Sequence, residues 1–198
     1  MKNVSLFFLL IIFVIQIVAQ DEKSMDDLPY YEVPEYYKTY TVGTVSARMI
    51  DGLGFRYRWS TEDLREVDLV YRPGEGARTV LETIDHVYGL SKIIVNTVSE
   101  VPTDFTKERS ELSYIEKRTQ TLENFKKASD ILKEIKDLEE LKIKFVSKNG
   151  SSEYPFWDLI NGPIEDAVWH SGQLVSFRRS SGNPMNPKVN FLTGKVRD

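Results

Sequence analysis

The chain has 198 residues, two histidines and no cysteine, and 26 basic against 30 acidic side chains leave a formal net charge of −4. A mildly acidic chain with no basic block has no electrostatic footprint for nucleic acid. The missing thiols exclude disulfides, thiolate nucleophiles, iron–sulfur clusters and cysteine-ligated zinc, so the fold must rest on a hydrophobic core, and any transition metal on His, Asp or Glu.

The first nineteen residues carry one charge, Lys2, then an almost unbroken apolar run from Val4 to Val18 and a small residue, Ala19, before the acidic Asp21 and Glu22. A charged start, a short apolar core and a small exit residue predict a secretory signal peptide over residues 1–19. The run falls short of the roughly 20 apolar residues of a spanning helix. The mature chain is therefore expected to be secreted or periplasmic with no stable membrane span, an uncleaved anchor being the alternative. Residues 20–43 are acidic and rich in Tyr and Pro (Tyr30, Tyr31, Pro29, Pro34, Tyr36, Tyr37, Tyr40). Proline and clustered aromatics without periodicity predict an extended arm whose tyrosines pack on the body.

The body, residues 44–198, reads as one helical domain. Val45, Met49 and Leu53, with Phe55 and Tyr57 beyond, recur at helical spacing over Thr44–Trp59. Gly52 and Gly54 weaken that helix by about 1 kcal/mol each and suggest close helix packing. Arg72-Pro73-Gly74-Glu75-Gly76 is a breaker. Val80, Ile84, Val87, Ser91, Ile94 and Val98 then form one stripe of a helix from about Ala77 to Val98. A third helix, Lys107 to Leu138, carries a narrow seam of Leu112, Ile115, Leu122, Phe125, Leu132 and Ile135 among many charges. Lys142 to Val146 is compatible with a short extended stretch, and Lys148 to Ser152 reads as a loop. Phe156, Trp157, Leu159 and Ile160 are expected to cover one end of the domain. A fourth helix starts at Asn161-Gly162-Pro163 and stops at Ser181-Gly182-Asn183-Pro184. Four helices with mostly short connections predict an all-α fold, an antiparallel four-helix bundle.

The chemistry rests on the two histidines. His86 lies midway along the second helix. Asp166 and His170 lie at i and i+4 on the fourth, so both side chains leave one face. Two imidazoles and one carboxylate suit Zn, Ni, Fe or Mn and leave coordination positions open. The competing reading is a solvated stripe of Asp166, His170, Gln173 and Phe177 holding only a surface ion pair. Glu82 and Asp85 flank His86 as candidate bases or orienting groups, Gln173 is placed to orient a water, and Trp169 or Phe177 is placed to line a cleft. Arg178 and Arg179 stand where positive charge favours a helix C-terminus, an anion site being the other reading. The sequence has no glycine-rich phosphate loop and no nucleophile elbow.

Two stretches together resemble the DinB/YfiT-like metal-binding superfamily. Thr83-Ile84-Asp85-His86-Val87 is similar to the family's second-helix segment. Trp169-His170-Ser171-Gly172-Gln173, followed by Leu174-Val175 and Arg178-Arg179, is similar to its fourth-helix motif. The similarity spans roughly Thr44 to Pro184. It implies a metal triad of one His on the second helix and two on the fourth. His86 and His170 match, whereas Asp166 stands where the family has a third His, a change that favours harder ions. The resemblance further implies a metal-dependent transferase or hydrolase acting on a small molecule, with a homodimer compatible. The alternative is a non-catalytic exported protein binding a small ligand or protein partner.

Overall fold

A computed structural model describes residues 28–108 and 111–198. The predicted signal peptide, residues 1–19, and the start of the arm lie outside the described residues. Among the described residues no helix is long and apolar enough to cross a membrane.

Helix boundaries follow local capping chemistry. Helix α1 (Val42–Ser60) opens with Thr41 and Thr44 exchanging side-chain to backbone bonds at 3.1 and 2.8 Å. A single turn, α2 (Glu66–Leu69), follows. Helix α3 (Val80–Val98) is set by Thr79 and Glu82, the Glu82 carboxylate accepting from the Thr79 amide at 2.7 Å. Strand β1 (Thr103–Asp104) precedes helix α4 (Tyr114–Leu132), whose start is fixed by the Ser113–Glu116 box, with the Ser113 amide donating to Glu116 at 2.7 Å. These reciprocal bonds satisfy amides that the first helical turn leaves without partners. The Ser113 cap is why the helix begins at Tyr114 and not at Lys107. Strands β2 (Lys142–Ser147) and β3 (Gly150–Pro155) form a hairpin that leads into the turn α5 (Phe156–Leu159), a wide π turn (Ile160–Ile164) and helix α6 (Glu165–Ser180). Strands β4 (Val189–Asn190) and β5 (Lys195–Val196) pair antiparallel near the C-terminus.

Helix α1 packs on α4 and α6, and α3 packs on the same two. The α3 stripe is buried as expected, with Val80, Ile84, Val87, Ser91 and Ile94 all at 0 % exposure. The α1 set is buried only in its second half, at Leu53, Phe55 and Tyr57. Val45 and Met49 face outward, while Ala47, Ile50, Gly54, Tyr57 and Arg58 turn inward. Gly43 lets α1 approach the end of α4, since a Cβ there would stand 2.3 Å from the Leu132 and Ile135 carbonyl oxygens.

The expected all-α antiparallel four-helix bundle is corrected on two counts. First, the described residues contain a three-stranded sheet in the order β1–β2–β3 and the two-stranded β4–β5 ribbon. The hairpin forms where Ile143 (buried) and Phe145 alternate with lysines, and where Gly150 supplies a φ of +120° just after Lys148-Asn149. Phe105, Phe145 and Tyr154 stack successively across its face at 5.4 and 5.9 Å. Second, α3 and α4 run parallel. Asp85–Lys117 (2.8 Å), Tyr88–Gln120 (2.8 Å) and Ser91–Asn124 (3.0 Å) climb both helices in the same direction. Residues 99–113 carry the chain back along α3, whose 19 residues span about 28 Å. Helix α4 is antiparallel to α1, with Tyr57 against Phe125 and Thr61 bonded to Arg118 at 3.1 Å.

The arm is part of the core. Leu28, Tyr30 and Val33 are buried, and the Trp59 indole donates to the Tyr31 carbonyl at 3.1 Å. Tyr30 and Tyr37 donate their hydroxyls to the buried Asp51 carboxylate at 3.3 and 3.1 Å. Burial nonetheless holds the Asp51 carboxyl above its ordinary range, against the hydrogen bonds from Ser129, Tyr37 and Tyr30. Tyr36 and Tyr40 remain exposed.

Candidate metal centre

His86 sits midway along α3 on the side facing α6. Its counterpart residues are aimed by the break before α6. Pro163 has no amide hydrogen to donate to the helix ladder, and the wide turn at Ile160–Ile164 accommodates it. Helical backbone therefore runs unbroken from Phe156 through the wide turn to Ser180, and Pro163, expected at the start of the helix, lies inside it. The extra residue in that turn sets the rotation of α6, so Asp166 and His170 look toward α3.

All three groups meet. His86 Nε2 lies 2.9 Å from Asp166 Oδ2, and His170 Nε2 lies 3.2 Å from Asp166 Oδ1. The two imidazole rings meet edge to face, with centroids 4.7 Å apart at 88°. One donor atom from each residue can be chosen so that all lie within 4.8 Å of one another. Ligands about 2.0–2.2 Å from a tetrahedral zinc stand roughly 3.4 Å apart, so the set is close to a shared-ion geometry. His170 is buried, at 9 % side-chain exposure, whereas His86 and Asp166 are at 31 % and 40 %, so the group opens to solvent on one side.

The proton inventory sharpens the reading. His170 Nδ1 lies 2.7 Å from Gln173 Oε1. An amide oxygen only accepts, so Nδ1 carries the proton, and in the neutral ring Nε2 presents its lone pair to the carboxylate. A lone pair and a carboxylate oxygen at 3.2 Å repel unless a cation lies between them. Either a second proton on the ring or a metal ion meets that need. Gln173 thus orients the histidine itself, a role different from the water-orienting one its spacing suggested. Such an outer partner on the far nitrogen is the usual companion of a ligating histidine.

A cleft of about 850 Å³ opens along the solvent side of α3, with His86 in its wall and Leu81, Gly89, Ile93 and Phe105 among its lining. Trp169 and Phe177 do not line it. Trp169 is 70 % exposed, and Phe177 packs against Tyr71 with ring centroids 6.2 Å apart. Of the acids near His86, Glu82 closes the α3 cap, and Asp85 is ion-paired with Lys117 at 2.8 Å. Arg178 is buried and donates to the Asn183 and Trp59 carbonyls at 2.8 and 3.0 Å, so it joins α6 to α1 and is not an anion site. Lys117, Phe105 and Gly89 were not singled out by the sequence. A lysine on a highly charged helix and a glycine within an apolar stripe give no local signal of a cleft. Comparison with known protein families and with curated proteins gives no match.

Proposed function

We propose that the chain binds one divalent metal ion through His86, Asp166 and His170, and that it is a DinB-like exported protein using that ion as a transferase or hydrolase on a small molecule. The observation that carries the reading is the convergence of His86, Asp166 and His170, whose donor atoms all lie within 4.8 Å of one another, with Gln173 Oε1 2.7 Å from the opposite nitrogen of His170. An ion bound here supplies Lewis acidity toward a water, thiol or carbonyl group. The chain's own contributions are distinct. Two neutral imidazoles and one carboxylate leave a divalent ion with net positive charge, a balance suited to Zn, Ni, Fe or Mn. Gln173 fixes the His170 tautomer before the ion arrives. The cleft with His86 in its wall offers a small molecule a place beside the donor set.

Isothermal titration with Zn²⁺, Ni²⁺ and Mn²⁺ tests the site without assuming a reaction. Wild type is expected to bind one ion per chain. His170→Ala is expected to lose binding, and Asp166→His to keep or strengthen binding of Zn²⁺ and Ni²⁺. Equal, negligible heats for wild type and His170→Ala would leave the three residues as a structural clasp between α3 and α6.

A second reading, a non-catalytic ligand-binding protein, draws on a different feature. Tyr36 and Tyr40, at 77 % and 95 % exposure, stand beside Val45 and Met49 around a groove of about 290 Å³. It gains ground only if the metal titration fails.

A further inference from the structure

Helix α6 packs on α1 and α3, and Ala167, Ser171, Leu174 and Arg178 are buried there beside His170. The opposite face is open to solvent. Glu165, Val168, Trp169, Gly172, Ser176 and Arg179 are exposed, at spacings of three and four residues that place them on one stripe. Val168 and Trp169 together present a valine and a largely bare indole to water.

The middle of the stripe is a glycine. Gly172 lies in the interior of a 16-residue helix, where glycine costs about 1 kcal/mol relative to alanine. It has ordinary helical φ, and a Cβ built there meets no atom within 4 Å. Nothing within one copy of the chain therefore requires glycine. A second backbone brought close to the helix does, because only glycine leaves that space free.

The charges are arranged about the same point. Glu165 and Arg179 stand equally far before and after Gly172, and neither makes an ion pair among the described residues. The helix dipole accounts for Arg179 at the end of α6. It does not account for Glu165, which lies inside the helical run that starts at Phe156, its own amide bonded back to the Ile160 carbonyl.

We propose that this face of α6 docks on the same face of a second copy of the chain, the two helices antiparallel about a two-fold axis at Gly172. A two-fold sets residues at equal and opposite distances from the axis against each other. Each copy's Glu165 then meets the other's Arg179. Val168 packs on the other copy's half-buried Val175, and Trp169 lies over the small Ser176. A parallel arrangement would set Glu165 on Glu165 and Arg179 on Arg179, so charge selects the antiparallel one. The metal donors face α3 and take no part, so the pairing does not depend on the metal reading. A face on one helix about 24 Å long belongs with the small interfaces, below about 1,200 Å² in total, so the dimer is expected to dissociate on dilution.

Sedimentation velocity from about 1 μM to 1 mM reads the state of association. Wild type is expected to pass from monomer to dimer over that range and to go no further. Trp169→Ala should weaken dimerisation by about thirtyfold. Glu165→Arg alone and Arg179→Glu alone each set like charges together and should weaken it by about tenfold at low salt. Glu165→Arg/Arg179→Glu exchanges the partners and should recover most of the wild-type affinity. Gly172→Lys should remain monomeric, with a melting temperature in dilute solution no lower than that of wild type, since its side chain has open space in a single copy. Circular dichroism checks that each variant keeps its helices. A wild type that stays monomeric throughout overturns the proposal, and a blue shift of its tryptophan emission on mixed zwitterionic and anionic lipid vesicles would then give the face to a membrane surface. A dimer that survives both Trp169→Ala and Gly172→Lys overturns the assignment of this face. A double reversal no better than the single ones overturns the antiparallel pairing.

Discussion

His170 donates its Nδ1–H to Gln173 Oε1 at 2.7 Å, one helical turn along α6, and this bond determines which nitrogen is free to face Asp166. Gln173→Ala is expected to weaken Zn²⁺ affinity by about 10–100-fold. Thermal stability of the metal-free protein should change little, because Gln173 is only half-buried. Gln173→Glu, which keeps an oxygen acceptor, should restore most of the affinity. Calorimetric titration of the three proteins checks this, and unchanged affinity in Gln173→Ala would remove Gln173 from the site.

A second expectation concerns acid. The Asp68 carboxylate is fully buried and accepts from the Arg65 guanidinium (2.7 and 2.9 Å), the Arg65 amide, Ser181 Oγ (2.6 Å) and Asn183 Nδ2 (2.7 Å). Arg65 first, then Ser181, the Arg65 amide and Asn183, holds its carboxyl well below the usual range despite burial. A depressed carboxyl stabilises the fold fully above its unfolded value of about 3.9 and progressively less as pH falls below that. Asp68→Asn should cost about 2 kcal/mol at pH 7, and its deficit relative to wild type should shrink below about pH 4. Urea unfolding of both proteins across that range reads it directly. A deficit that is constant with pH would show that the carboxylate charge is immaterial.

The arm gives a third. A Cβ on Gly54 would stand 2.4 Å from the Tyr30 ring carbons. Gly54→Ala should therefore lose about 1–2 kcal/mol net, the clash outweighing the gain in helix propensity. Tyr30→Ala/Gly54→Ala should recover part of the loss relative to Tyr30→Ala alone. Thermal melts of the cycle measure the coupling, and additivity would mean that the arm does not rest on Gly54.

A fourth tests where α4 begins. Ser113→Ala removes the acceptor of the Glu116 amide and should cost about 1 kcal/mol. Substitutions at Lys107, six residues earlier and exposed, should be nearly neutral. The reverse ranking would place the helix start upstream of Ser113.

The sequence was most legible where burial was one-sided and apolar. The α3 stripe from Val80 to Val98 is apolar or small throughout, so its periodicity identifies the buried face. Helix α6 hides its face from such reading, because Ala167, His170, Ser171, Leu174 and Arg178 are buried while Val168 and Trp169 are exposed. There the i, i+4 pair of Asp166 and His170 was the better guide. It correctly brought His86, Asp166 and His170 together, although it said nothing of the π turn that aims them. The hairpin was missed because β3, Gly150–Pro155, is exposed along its whole length and leaves no alternation to see. The parallel course of α3 and α4 was hidden by reading residues from Lys107 onward as helix, which left a short connection where residues 99–113 form a crossover.

The separation of the site residues has a consequence for biosynthesis. His86 and Asp166 are 80 positions apart. A chain made from its N-terminus first therefore presents His86 without its partners while the next 80 residues are added, and a single imidazole does not retain a divalent ion. The donor set closes only when α6 has emerged and docked. An ion bound there would accordingly be drawn from the compartment where folding is completed, which for an exported chain lies outside the cytoplasm.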